Sequence, residues 1–99
     1  HSNVMSELMG LIEGIYDAKA QGFVPGGVSI HNSFIPHGPD SEAFAAATEA
    51  ELVPSKGPDS LAIMWESRYR WVPTSWAMGL SELQGDYPER WSELGRQWD

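Results

Sequence analysis

The 99-residue sequence predicts a mixed chain of short strands with one or two helices, forming one domain. Three observations carry this. Residues 28–35 alternate loosely between apolar and polar and stop at Pro36, which suits a strand because proline cannot donate to a sheet ladder. Residues 61–72 are rich in aromatic and branched side chains and stop at Pro73. Between them lies a block of good helix formers, residues 42–52, preceded by the turn residues Gly38 and Pro39 and by Asp40 or Ser41 as N-cap.

Taken in order, residues 6–16 come first and read two ways. Leu8, Leu11, Ile12, Ile15 and Tyr16 make a helical stripe at i, i+3, i+4 spacing. Gly10 and Gly14 oppose it, since each costs a helix about 1 kcal/mol relative to Ala. A buried strand with glycines at close approaches reads the same letters. Both readings stand on the residues alone. Residues 17–27 carry turn chemistry, with Asp17, Gly22 and the corner Pro25-Gly26-Gly27. After the strand at 28–35 and the helix at 42–52, residues 54–59 read as a loop. Residues 74–78 continue as a further strand, and residues 83–98 read as a helix with Tyr87, Trp91 and Leu94 along one face. There is no internal repeat and no low-complexity segment.

Composition narrows the function classes. A net charge of -8 with six scattered basic residues argues against nucleic acid, because phosphate binding needs clustered Lys and Arg. No cysteine is present, so disulfides and thiolate metal sites are excluded. Any metal must be held by His, Asp or Glu, which favours iron, manganese or zinc. No apolar run reaches the roughly 20 residues of a membrane span, and residues 1–20 lack the pattern of a signal peptide. The expectation is a soluble cytoplasmic protein with no membrane contact. The chain starts on a histidine without an initiator Met: either upstream sequence has been removed, or His1 is the end of a purification tag.

The chemistry gathers in residues 25–40. His31 and His37 sit there six residues apart, between the Pro-Gly-Gly corner and a second corner, Pro36-His37-Gly38-Pro39. The third histidine, His1, precedes Glu7 by six residues. Two histidines and one carboxylate from separate parts of a chain can form the three-ligand face of a non-haem iron site. Bringing His1, Glu7 and His37 to one ion requires a turn. An extended chain would put His1 and Glu7 roughly 20 Å apart, and a helix about 9 Å apart on different faces, whereas ligand bonds are only about 2 Å long. Ser2 and Asn3 are turn-prone and are the place for it; His37 would then arrive from a neighbouring strand end. His31 and His37 also read as surface or satisfied core residues, a His six residues before a Glu is common by chance, and the aromatic-rich residues 65–76 also read as core or interface.

The order of motifs adds a resemblance. His1-x5-Glu7, Ser6-Glu7-Leu8-Met9-Gly10-Leu11-Ile12, Tyr16-Asp17-Ala18-Lys19, Gly22-Phe23-Val24-Pro25-Gly26-Gly27 and His31-x5-His37-Gly38-Pro39-Asp40 together resemble the homogentisate 1,2-dioxygenase family. The run from Leu61 to Arg68 resembles the strand that follows in that family, and Tyr87, Trp91 and Leu94 its C-terminal helix. Ser2 departs from the Arg usual there, which touches local contacts and not the ligand set.

This resemblance implies a mainly β fold: a portion of a cupin-like jelly-roll barrel with one or two peripheral α-helices, in which residues 7–15 are strand. Residues 1–99 would be the C-terminal, iron-binding part of a chain several times longer, lacking the family's large N-terminal β domain. It implies Fe(II) held by His1, Glu7 and His37, with Tyr16 hydrogen-bonding the substrate carboxylate and His37 bordering the substrate. His31 would be a second active-site histidine, catalytic and not a ligand; the general base would lie upstream. The implied reaction joins homogentisate and O2 to give maleylacetoacetate, in an enzyme that is a trimer or hexamer. The chain alone would be inactive. A related dioxygenase for another hydroxylated aromatic acid and a non-catalytic metal-binding cupin domain are the alternatives. Open coordination positions separate an enzyme from a closed structural site.

Overall fold

The computed structural model of the protein describes residues 1–19, 21–54 and 59–97. Its frame is a three-stranded antiparallel sheet in the order β2-β1-β3, made of β1 (Ser6–Glu13), β2 (Val28–His31) and β3 (Leu61–Ser67). Helix α1 (Ser41–Glu49), the single turn α2 (Ser75–Met78) and a 3-10 helix (Tyr87–Trp91) lie outside the sheet. The fold is mainly β, consistent with a portion of a cupin-like barrel.

Of residues 6–16, Ser6–Glu13 are strand and residues 14–16 are not, so the strand expected over 7–15 ends two residues early. A central strand hydrogen-bonds on both edges, and β1 has β2 on one side and β3 on the other. Gly14 ends it with φ +78°, and a Cβ there would fall 2.3 Å from the Asp59 carbonyl oxygen, so neither the helical reading nor a longer strand was open. The register skips from Leu11↔Ala62 to Glu13↔Leu61, leaving Ile12 as the extra residue of a bulge.

The β1–β2 connection is set by the Pro25-Gly26-Gly27 corner. Gly27 N donates to Val24 O at 2.8 Å, with Pro25 fixing the first central residue and Gly26 taking φ +89° at the second. That is a type II turn. Gly26 N also donates to Leu11 O at 2.8 Å, so the corner is tied back to β1. The register that follows sets Glu7 opposite His31 and Met9 opposite Ser29. Directly paired residues project to the same face, and on β3 the partner of Met9 is Met64. One face thus carries Glu7, Met9, Ser29, His31 and Met64, and these residues line a cavity.

Several elements are shorter than expected. Strand β2 stops at His31 rather than residue 35, because Asn32 turns away to grip the Trp71 backbone and Phe34 takes φ +64°. Strand β3 stops at Ser67, whose hydroxyl accepts from Tyr69 N at 3.0 Å and bends the chain. Residues 74–78 form no strand: Thr74 caps the helical turn α2 by accepting from Ala77 N at 3.2 Å. The helix expected over 83–98 shrinks to the 3-10 segment, where Pro88 withholds a backbone donor; Trp98 lies outside the described residues. Helix α1 starts where expected, with Asp40 accepting from Ala43 N at 2.9 Å, and ends three residues early. Most of the expected loop at 54–59, residues 55–58, also lies outside the described residues.

Among the described residues, only Leu11 and Phe23 are buried apolar side chains. On the far face of the sheet, Ile63 and Trp65 remain substantially exposed. No described helix is long and apolar enough to cross a membrane.

Candidate metal centre

The three residues expected to meet do meet. One nitrogen each of His1 and His37 and one carboxylate oxygen of Glu7 all lie within 4.8 Å of one another. Each side chain arrives by a different route. Glu7 points inward from β1 and is buried. His1 is brought over it by the bend expected at Asn3, where Asn3 Oδ1 accepts from Met5 N at 3.1 Å. His37 comes from the loop beyond β2, not from a strand end. That loop runs against the first residues of the chain: Phe34 N donates to Asn3 O at 2.8 Å, His37 N to His1 O at 2.9 Å and His1 N to His37 O at 3.0 Å.

Hydrogen bonding prepares the donors. His37 Nδ1 lies 2.8 Å from the Ile35 carbonyl, which can only accept, so Nδ1 carries a proton. Its Nε2 lies 3.0 Å from Glu7 Oε2, another group that only accepts. A neutral imidazole would set two lone pairs against each other there, so the pair needs a shared positive charge, either a proton on Nε2 or a metal ion. His1 Nε2 stands 3.9 Å from Glu7 Oε1. At 3.0 Å the His37–Glu7 pair is close enough for both atoms to bind one ion on bonds of about 2 Å, and the exposed His1 ring has farther to come. The donor set of two imidazoles and one carboxylate suits a hard-to-borderline divalent ion.

Glu7 is held ionised. The Asn3 Nδ2 donor, 2.7 Å from Oε1, is the main cause, with His37 adding to it, and together they keep the carboxyl below its ordinary range against the opposing effect of burial. Asn3 also reaches Glu66 Oε1 at 3.4 Å. It thereby bridges two carboxylates that face each other across β1 and β3.

The cavity beside this cluster has a volume of about 250 Å3. His31 enters it opposite Glu7, its ring stacked on His37 at 4.5 Å and 15°. Burial, then the neighbouring His37, pushes its pKa down, so it is neutral at pH 7. Tyr16 lines the same cavity, edge-on to Phe23; burial first, then Glu7, raises its pKa and keeps the phenol protonated. All the expected site residues, His1, Glu7, Tyr16, His31 and His37, thus border one space.

Sequence reasoning missed four contributors. Tyr87 and Trp91 were read as one face of a helix. Instead, Trp91 donates its indole N–H to the Pro39 and Gly38 carbonyls at 3.0 and 3.2 Å, pinning the chain just after His37. The Tyr87 hydroxyl sits 2.7 Å from His31 Nε2. Lys19, buried although charged, places its ammonium 4.1 Å from the Tyr87 ring centre. Asn3, expected only as a turn residue, is also the partner of Glu7. Lys19 appears in the Tyr16-Asp17-Ala18-Lys19 motif without a role of its own, and nothing in the sequence signalled that the 3-10 residues reach the cavity.

Comparison with known proteins places this arrangement. Residues 1–98 match the family described as homogentisate 1,2-dioxygenase C-terminal. Proteins named homogentisate 1,2-dioxygenase from Nitrobacter hamburgensis and Rhodopseudomonas palustris are each 54% identical over 99 residues, covering 100% of this chain and 22% of their own length. One of the same name from Bradyrhizobium diazoefficiens is 52% identical over the same span. The chain therefore spans 22% of the length of these curated relatives. It belongs to the homogentisate 1,2-dioxygenase C-terminal family.

Proposed function

We propose that this chain carries the metal centre and one wall of the substrate cavity of a dioxygenase that cleaves the ring of homogentisate with O2, yielding maleylacetoacetate. The observation that carries the reading is the convergence of His1, Glu7 and His37 beside an aromatic-lined cavity.

His1, Glu7 and His37 would hold Fe(II), which when bound favours ionisation of a coordinated phenol and supplies electrons to O2. The protein's own share is placement and charge. The Tyr16 phenol, kept protonated, would donate to the carboxylate of the substrate's side chain. Neutral His31 would donate a hydrogen bond to an oxygen of the bound substrate and so hold its place. Met9, Met64, Phe23 and Trp91 would flank the ring and keep water from it.

The rest of the site, including a general base, would come from the remainder of a longer protein in which residues 1–99 are the C-terminal domain. That protein would be a cytoplasmic homo-oligomer, a trimer or hexamer; the exposed Trp65, Val72 and Trp76 are the kind of surface such contacts cover. The test is Fe(II)-dependent O2 uptake by the full-length protein with homogentisate. One O2 consumed per homogentisate is expected. No uptake in the iron-loaded protein would dismiss the reading.

A further inference from the structure

The cavity wall opposite Glu7 holds a chain of side chains with no part in metal binding. Lys19, on the segment after β1, is buried and donates to Gln84 Oε1 at 2.7 Å. Its ammonium lies over the Tyr87 ring at 4.1 Å and near the Trp91 ring at 5.5 Å, within the range of a cation–π contact. The Tyr87 hydroxyl meets His31 Nε2 at 2.7 Å. His31 in turn stacks on His37. Three segments distant in sequence are thus joined to fix one imidazole.

From this geometry we infer that Tyr87 is a positioning residue: its hydroxyl donates to His31 Nε2 and holds His31 as the tautomer protonated at Nδ1. The direction follows from chemistry. A neutral imidazole nitrogen is a far better acceptor than a phenol oxygen. A cation over the ring face draws density from the phenol, which strengthens the O–H donor and weakens the oxygen as acceptor. Lys19 thereby acts on His31 through Tyr87, and Gln84 keeps the ammonium in place. With the tautomer fixed, His31 offers one nitrogen as donor toward its surroundings and the other is spoken for. The orientation of an imidazole by a partner on its second nitrogen is a general device around metal sites.

The catalytic consequence rests on the proposed dioxygenase reading, whereas the tautomer itself does not. In the metal-free full-length protein labelled with 15N-histidine, with His31 signals assigned by their loss in His31→Gln, the ring shifts should report protonation at Nδ1 alone. Tyr87→Phe, which keeps the ring beneath Lys19, should yield a mixture of both tautomers. Protonation of His31 at Nε2 in the unaltered protein overturns the inference, whether or not the variant folds. So does a Tyr87→Phe spectrum identical to the unaltered one. In O2 uptake, Tyr87→Phe should lower kcat about tenfold with KM and iron content within twofold, and should have under a twofold effect when added to His31→Gln. An equal tenfold loss in both backgrounds would mean that Tyr87 does not act through His31. Absence of all uptake in the unaltered protein would count against the dioxygenase reading and leave the 15N result to decide the tautomer.

Discussion

Asn3 offers the sharpest quantitative test of the proposed metal centre, because its amide makes a single short contact to Glu7, the proposed carboxylate ligand. Its Nδ2 donates to Glu7 Oε1 at 2.7 Å, and its Oδ1 separately holds the bend by accepting from Met5 N. A hydrogen bond to a charged group is worth about 1.5–3 kcal/mol, which corresponds to roughly 10- to 150-fold in an equilibrium constant. The usual effect of removing a partner from a metal-ligating side chain, about 10- to 100-fold in affinity, falls in the same window. Asn3→Ser isolates the effect, since a serine hydroxyl can replace Oδ1 in the bend but is too short to reach Glu7. The expected outcome is a Kd for Fe(II) raised by about 10- to 100-fold in the full-length protein, measured anaerobically by competition with a chromophoric chelator. Circular dichroism and melting temperature of the metal-free variant should stay close to those of the unaltered protein. An affinity within twofold of the original would refute the idea that Asn3 prepares Glu7 for the metal. A loss beyond about 1,000-fold would also refute it, because one hydrogen bond cannot supply that much.

Other outcomes follow from the same geometry. Glu7→Gln removes the one anionic donor at constant shape, so iron should be lost on dialysis; stoichiometric iron in the variant would take Glu7 off the ligand set. Tyr16→Phe should raise KM for homogentisate by about 10- to 100-fold with iron content unchanged, the worth of one hydrogen bond to a carboxylate. Because burial lifts the Tyr16 pKa above its ordinary value of 10.0, its donor persists through pH 9, and a KM that rises between pH 7 and 9 only when Tyr16 is present would contradict this. Gly14→Ala should lower the yield of folded protein sharply, since the new Cβ meets the Asp59 backbone at 2.3 Å and the residue must keep φ +78°; soluble expression and thermal unfolding read it.

Much of the site was legible because its residues are punctuated by turn chemistry. The Pro25-Gly26-Gly27 corner announces its type II turn by composition, and Asp40 announces α1. The convergence of His1, Glu7 and His37 was not legible from spacing, which allowed helix, strand or coil between the first two. The ordered motifs supplied it by resemblance. Residues 6–16 were ambiguous for a physical reason: with two glycines and a bulge, the apolar positions of β1 fall at helical as well as strand intervals. Residues 74–78 and 83–98 were misread because short segments obey local caps and Pro88 more than any period. The partnership of Lys19, Tyr87 and His31 joins positions too far apart in sequence for any local pattern to reveal it.

The pairing of Glu7 with His31 across the sheet carries a wider consequence. Side chains alternate between faces with each step along a strand, so sliding β1 past β2 by one residue would swing the carboxylate to the opposite face and present Ser6 or Leu8 to the cavity. The backbone ladder is therefore a ruler for the chemistry. Insertions or deletions within residues 8–30 that change strand offset should abolish metal binding even where every ligand is retained, whereas length changes confined to the loops beyond β3 leave that alignment untouched.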